Sequence, residues 1–405
     1  MTNCHANTII RLLLMSVLAL TTASIRAAAP TVPESDTETD LKSSLRKYFS
    51  SWQPRTEGRT PTLQSVSAEL EPPTDQPLTV APTTVKFVRI RDRLQRFMGC
   101  EPGNVSDVRA NHRNGIRGEF LYLQARTVDI PFATPIDGIG ETAVPIGATL
   151  FVDPTHQPGF RVGFTDNRTA DSSISTDFWH YQSQSQTSGS MTGGSGFFEA
   201  LLVHPNTTSV AADSLATDAT FDIDFSIVDA HYRTTFHETD LCSIDLVAGA
   251  RYVRIQEDLR ASYSILGTTN LTTNLNFDGV GPRIGLELER PLDANRWNLF
   301  VRGYGSMLLG NVTANFTQTN ALAGGTQATT SLDDSRFVPT TELEIGLNWN
   351  SANGHWNFSG GYYIATYHNA LTTGRFIQGV QNHDLYKLED DLTFSGLMTR
   401  IEVQW

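Results

Sequence analysis

From Leu397 to Trp405 the chain alternates with a period of two. Leu397, Thr399, Ile401, Val403 and Trp405 fall on one side; Met398, Arg400, Glu402 and Gln404 fall on the other. Successive side chains of a strand point to opposite faces, so this segment reads as a strand with one apolar and one polar side. The chain stops on that strand, on an aromatic residue. A terminal strand on a sheet edge is a liability unless it closes a barrel against the first strand. A terminal tryptophan also suits the aromatic girdle of an outer-membrane barrel.

The N-terminus fits export. Arg11 and the free amine precede a short apolar run from Leu12 to Leu20, and the small residues around Ala27 offer a cleavage site, so residues 1–27 are expected to be a cleaved secretory signal. No later apolar stretch reaches the roughly 18 residues of a transmembrane helix. A formal net charge of −13 argues against nucleic acid as a partner. With 39% hydrophobic residues, 31 glycines and heavy use of Thr, Asn and Ser, the composition suits an exported β-rich chain.

Residues 28–115 begin with a Pro-, Thr-, Ser- and Glu-rich stretch and are expected to form a flexible periplasmic segment. Two short helices interrupt it: Leu41 to Trp52, with apolar residues at helical spacing, and Val85 to Met98, with a basic face. From residue 116 two-residue alternation takes over. It places ten strands at 116–126, 158–165, 173–184, 219–235, 242–258, 275–290, 296–309, 336–350, 355–368 and 391–405. The connections at 166–172, 236–241, 291–295 and 351–354 are short and rich in turn formers. Those at 127–157, 185–218, 259–274, 310–335 and 369–390 are long and polar. That regular difference is expected of an up-and-down antiparallel transmembrane barrel with periplasmic turns and extracellular loops. The strand count becomes twelve if the first two long connections hide a further pair.

Trp297, Trp349, Trp356 and Trp405 fall at or near the short-turn ends of their strands, where an interfacial belt belongs. Apolar residues on 336–350 (Leu343, Ile345, Leu347), on 275–290 (Ile284, Leu286, Leu288) and on 219–235 (Phe221, Ile223, Phe225, Ile227) are expected to face lipid. Alternation then assigns Arg117, Glu119, Arg251, Arg283, Glu287, Arg302, Glu342, Glu344, Arg400 and Glu402 to the lumen. Opposed rows of Arg and Glu either line a channel and set its ion preference or zip a narrow interior shut.

The segments Phe225 to Tyr232, Leu246 to Tyr252 and Gly279 to Leu286 resemble the Legionella-type major outer membrane protein family. Leu299 to Gly303, Glu342 to Gly346, Gly360 to Tyr363 and Gly118 to Tyr122 are similar too, so the resemblance spans about 116–405. It implies a pore-forming or structural barrel of the outer membrane, and carries no defined set of functional residues.

Catalytic and cofactor chemistry finds little support. The glycines at 279, 281 and 285 lie in a strand and open no helix, so no dinucleotide loop forms. The acidic pairs lack a calcium-loop pattern, and the histidines lack zinc spacing. His383 and Asp384 are adjacent on the chain and His368 lies near them, but adjacent strand residues point apart and no nucleophile motif accompanies them. The expectation is a non-enzyme with no cofactor and no metal. Cys100 and Cys242 fall on the same side of the barrel and form a candidate disulfide. Outer-membrane lipids and the barrel assembly machinery are the expected partners, and homo-oligomerisation stays open. Two functions remain: structure with passive diffusion of small hydrophilic solutes, or a surface adhesion or scaffold barrel with a filled lumen.

Overall fold

The computed structural model describes residues 112–405 apart from 139–141, 192–195, 208–212, 240–241, 265–266, 294–295, 353 and 387. The signal segment, the helices expected at 41–52 and 85–98, and Cys100 lie outside the described residues. In chain order the structure opens with β1 (Gly115–Arg126), β2 (Ile130–Ile136), β3 (Leu150–Val152), β4 (Gln157–Thr169) and β5 (Ser172–Ser190). Next come β6 (Phe197–Ala200), β7 (Asp213–Ser214), β8 (Ala216–Thr239), β9 (Cys242–Ser264) and β10 (Thr268–Asp293). The chain finishes with β11 (Trp297–Asn320), β12 (Gly325–Asn350), β13 (Trp356–Ala370), helix α1 (Thr373–Gln381) and β14 (Asp390–Gln404).

Ten strands close into an antiparallel barrel in the order β1-β14-β13-β12-β11-β10-β9-β8-β5-β4. The terminal strand closes the ring, with β14 pairing β1 from Gly115↔Gln404 to Arg126↔Thr393. Closure gives every strand two partners in the base, while toward the crown β12 pairs only with β11 before Thr340 and β5 only with β8 after Tyr181. We call the end that carries the short turns and the start of β1 the base, and the opposite end the crown.

The strands run far past the segments that the sequence marks as strands. β11 and β12 continue through 310–335 and meet at a turn around Gly324 and Gly325, both at positive φ (90° and 101°), the left-handed region that favours glycine. The connection expected at 259–274 is likewise mostly strand. The polar loops expected at 127–157 and 185–218 contain four strands, but these pair among themselves as a separate sheet, β3-β2-β6-β7, and the ring keeps ten.

The outward face explains the extra length. Near the base it is apolar: Ile284 and Leu286 on β10, Met307 and Leu309 on β11, Leu397 and Ile401 on β14 are all exposed. On β10 this face runs from Val280 to Leu288, close to the roughly 9–11 residues that a tilted strand needs to cross a bilayer. Trp297, Trp356 and Trp405 are exposed at its lower edge, and Trp349 lies against Phe358 with ring centroids 5.7 Å apart. Towards the crown the same face turns polar, with Asn274, Asn276 and Asp278 on β10 and Asn311, Thr313 and Asn315 on β11.

The inward face changes in the opposite sense. Phe221, Ile223, Phe225 and Ile227 are buried inside the crown of β8, not turned to lipid as alternation suggested. Their polar neighbours Asp222, Asp224 and Ser226 lie on the outside, because this part of the strand stands where the exterior is wet. Below it, Val228 and Tyr232 turn outward and Asp229 and His231 turn inward. The crown interior is thus an ordinary hydrophobic core. Phe225 and Phe394 sit 4.6 Å apart, Tyr367 packs edge-on to both, and Val312, Ala314 and Phe316 complete the wall.

Candidate functional site in the barrel interior

In the base, the inward residues are charged and paired across neighbouring strands. Glu287, Arg302 and Glu344 stand opposite one another on β10, β11 and β12, while Arg161, Glu119 and Arg400 do so on β4, β1 and β14. Register alone therefore sets opposite charges side by side. Arg400 donates through Nε to Glu119 at 2.6 Å, and Arg161 Nη1 lies 2.8 Å from Glu344 and 3.2 Å from Glu119. Glu344 also takes Arg302 and Arg400, each at 3.3 Å. Arg251 binds Asp229 through two nitrogens at 2.6 Å and pairs with Glu342, which also holds Arg283 at 2.8 Å.

Small and aromatic residues shape this layer. Gly163 leaves the space in which Arg117 pairs with Asp177, and a Cβ there would collide with both side chains. Gly285 similarly clears room for the Tyr304 ring, whose hydroxyl donates to Glu287 at 2.7 Å. The Arg161 guanidinium lies 3.4 Å over the centroid of Trp179, which in turn packs 5.2 Å from Tyr363. Arg251, at 0% exposure, is the most deeply buried arginine of the layer.

The layer is bounded differently on its two sides. Toward the base a polar vestibule of about 290 Å³ opens, lined among others by Arg113, Arg117, Arg233, Glu289, Arg302 and Glu402. Toward the crown stands the apolar core, and α1 and the small sheet pack onto it. Phe376, Ile377 and Val380 of α1 are buried in that core, and the helix contacts β9, β10 and β11. Glu257 projects from β9 and accepts the Thr373 N–H at 2.8 Å and its hydroxyl at 2.7 Å, which fixes the helix N-terminus where negative charge is favoured. Gln381, at the other end, donates to the carbonyls of Leu201 and Val203. The β2–β3 side is held by Tyr263, whose hydroxyl donates to the Phe132 carbonyl at 2.8 Å.

A closed ten-stranded barrel with an apolar belt, an aromatic lower edge and a charged interior is the architecture that a lipid bilayer selects. The family model of the Legionella pneumophila major outer membrane protein precursor matches residues 109–405. The chain belongs to that family. It is an outer-membrane β-barrel. No curated protein matches it. Among solved structures it is similar to the outer membrane protease OmpT from Escherichia coli, at 7% identity and a TM-score of 0.40, covering 75% of this chain and 99% of that one. It is also similar to CarO of Acinetobacter baumannii, at 10% identity and a TM-score of 0.24 over 72% and 98% of the two chains. What those proteins do does not transfer across such distances.

Within this family member, nine of the ten residues assigned to the lumen by alternation, Arg117, Glu119, Arg251, Arg283, Glu287, Arg302, Glu342, Glu344 and Arg400, are buried inside the base, while Glu402 lines the vestibule. The layer also contains residues that sequence reasoning passed over: Arg161, Asp177, Trp179, Asp229, Arg233 and Tyr363. Asp229 and Arg233 were missed because the outward assignment of Phe221 to Ile227 carried the wrong parity down β8. The available signal was the switch at Val228, where apolar residues move to the even positions.

The histidines have other company. His368 lies between Asp391 (3.3 Å) and Thr341 (3.1 Å). His383 stacks on His204 with centroids 5.0 Å apart, and its Nδ1 lies 3.4 Å from the Val380 carbonyl. Cys242 begins β9, where its N–H donates to Thr239 Oγ1 at 3.2 Å.

Proposed function

We propose that this outer-membrane barrel is closed to diffusion and works as a non-enzymatic structural scaffold that presents its crown at the cell surface. The filling of the interior carries the reading: a buried layer of paired arginines and carboxylates in the base, topped by a hydrophobic core and α1. Barrels of about eight strands have interiors just wide enough for side chains to fill, and ten strands are only slightly wider. The short turns and the start of β1 belong on the periplasmic side in this reading, and the polar outer wall of the crown stands in the extracellular medium. Residues 1–27 act as the cleaved signal, the barrel assembly machinery inserts the chain, and lipid covers the apolar belt. Homo-oligomers would form through that same belt.

The vestibule favours a second reading, passive diffusion of small hydrophilic solutes entering from the base. Conduction would then require both the charged layer and the crown core to part. Single-channel recording of the refolded protein in a planar bilayer separates the two. A folded, protease-resistant barrel that gives no stepwise current supports the closed scaffold. Reproducible openings whose selectivity changes on Arg302→Gln or Glu342→Gln overturn it in favour of a porin.

A further inference from the structure

At the centre of the charged layer lies a second, much smaller cavity of about 20 Å³. Six arginines line it: Arg117, Arg161, Arg233, Arg283, Arg302 and Arg400. Among the described residues the carboxylates at its wall are Asp177 and Asp229, both engaged, Asp177 by Arg117 and Asp229 by Arg251, while Glu119, Glu287, Glu342 and Glu344 pair with the other arginines from behind the wall. Several buried donors of the wall have no hydrogen-bond partner: Arg161 Nε and Nη2, Arg283 Nε and the indole N–H of Trp179, while Arg283 Nη1 and Arg302 Nε stand at ion-pair distance, 3.6 Å from Asp229 and 3.7 Å from Glu287. Arg161 spends Nη1 on Glu344 and Glu119, so the Nε–Nη2 edge of its guanidinium stays open. That edge is the fork with which arginine grips anions.

We propose that this cavity is a buried binding site for one small inorganic anion of halide size. A cavity needs on the order of 10–15 Å³ to hold one water-sized particle, so this one takes a single such occupant and excludes sulfate or phosphate. Water fits the chemistry poorly. It must donate two hydrogens as well as accept, whereas the unfilled positions around this cavity are mostly donors, with His231 offering at most one acceptor nitrogen. An anion only accepts, and so meets these donors with no hydrogen of its own to place. Arg117, Arg233, Arg302 and Arg400 line both this cavity and the vestibule, so the ion reaches its site from the base along a path of guanidinium groups.

Two measurements on the full-length protein test the site. Crystals grown or soaked in sodium bromide should show an anomalous peak between Arg161, Arg283 and Trp179. In solution, sodium iodide should quench tryptophan emission with a saturable component that sodium sulfate of equal ionic strength does not produce, and that component should vanish in Trp179→Phe. Bromide peaks confined to the surface, or a cavity occupied by water alone, would overturn the proposal, as would iodide quenching that never saturates. The bromide experiment uses the unaltered chain, so a misfolded Trp179→Phe protein leaves the test intact.

Discussion

Base and crown share the long strands β5 and β8 to β12, which run from one into the other in a single pairing, yet their side chains are turned inside out relative to each other. The border on the outer wall can be followed residue by residue. Phe178, Val228, Tyr252, Val280, Leu309 and Phe337 form one paired row across β5, β8, β9, β10, β11 and β12. The next outward row toward the crown is His180, Ser226, Arg254, Asp278, Asn311 and Ser335. Backbone pairing passes through this border unbroken, so hydrogen bonding has no part in setting it. The solvent outside does. Where the exterior is lipid, apolar residues gain nothing by turning inward, and the lumen takes charges in mutual neutralisation. Where the exterior is water, burial of apolar area drives Phe225, Phe316 and Phe394 inward as in any soluble core.

The largest effect that could break this comparison lies inside the base. Glu344 neutralises Arg161, Arg302 and Arg400 together. A buried ion pair is weak evidence of net stabilisation, but deleting one partner strands the other charge, at about 3–5 kcal/mol. Glu344→Leu should therefore cost at least that much in urea unfolding from lipid vesicles, because three cations lose their shared partner. If Glu344→Leu unfolds at the wild-type midpoint, the base interior is solvated and the reading of a dry, paired layer fails.

A smaller effect sharpens the outer wall. Ile284 and Asn276 occupy the same face of the same strand, on opposite sides of the border. An arginine at the lipid-facing midplane of a barrel costs about 2–4 kcal/mol, and near the interface about 0–1. Ile284→Arg should thus destabilise by about 2–4 kcal/mol, and Asn276→Arg by less than about 1. Equal costs at the two sites would place the border elsewhere, and measured folding free energies of both variants in one lipid decide it.

The same contrast explains what could be read from sequence. Ten strands, their antiparallel ring and the lipid face of β14 were legible because alternation in the base has the sense expected of a membrane barrel. The crown defeated that reading in two ways. On β8 the apolar residues shift from odd to even positions at Val228, but parity shows only that two faces differ and not which one faces in, so Phe221 to Ile227 read as lipid-facing. On β11 and β12, the Thr- and Asn-rich stretch 310–335 passed for a loop because its apolar partners, Val312, Ala314 and Phe316, are spaced among residues that normally mark turns. The pairing of Arg161 with Glu344 was beyond reach altogether. These residues are 183 positions apart and meet only across the lumen.

The smallest expected effect concerns the cover of the crown, which the base has no counterpart for. His383, just past α1, stacks on His204 of the segment that follows β6, with ring planes 10° apart. The His204 imidazole is held below the ordinary histidine range, first by burial and then by the neighbouring His383. A histidine whose folded pKa is depressed takes up a proton more readily once its contact is broken. The stack therefore contributes fully above the ordinary histidine pKa of about 6.5, and its contribution is lost as pH falls through that range. Amide exchange of Thr373–Gln381, corrected for intrinsic rates, should accelerate modestly between about pH 7.5 and about pH 5, while exchange in the base of β11 keeps its protection. His204→Gln should flatten that pH dependence in α1 and leave the base untouched. Acceleration of both regions together would mean that crown and base open as one unit, and the division between them would then be one of side-chain chemistry alone.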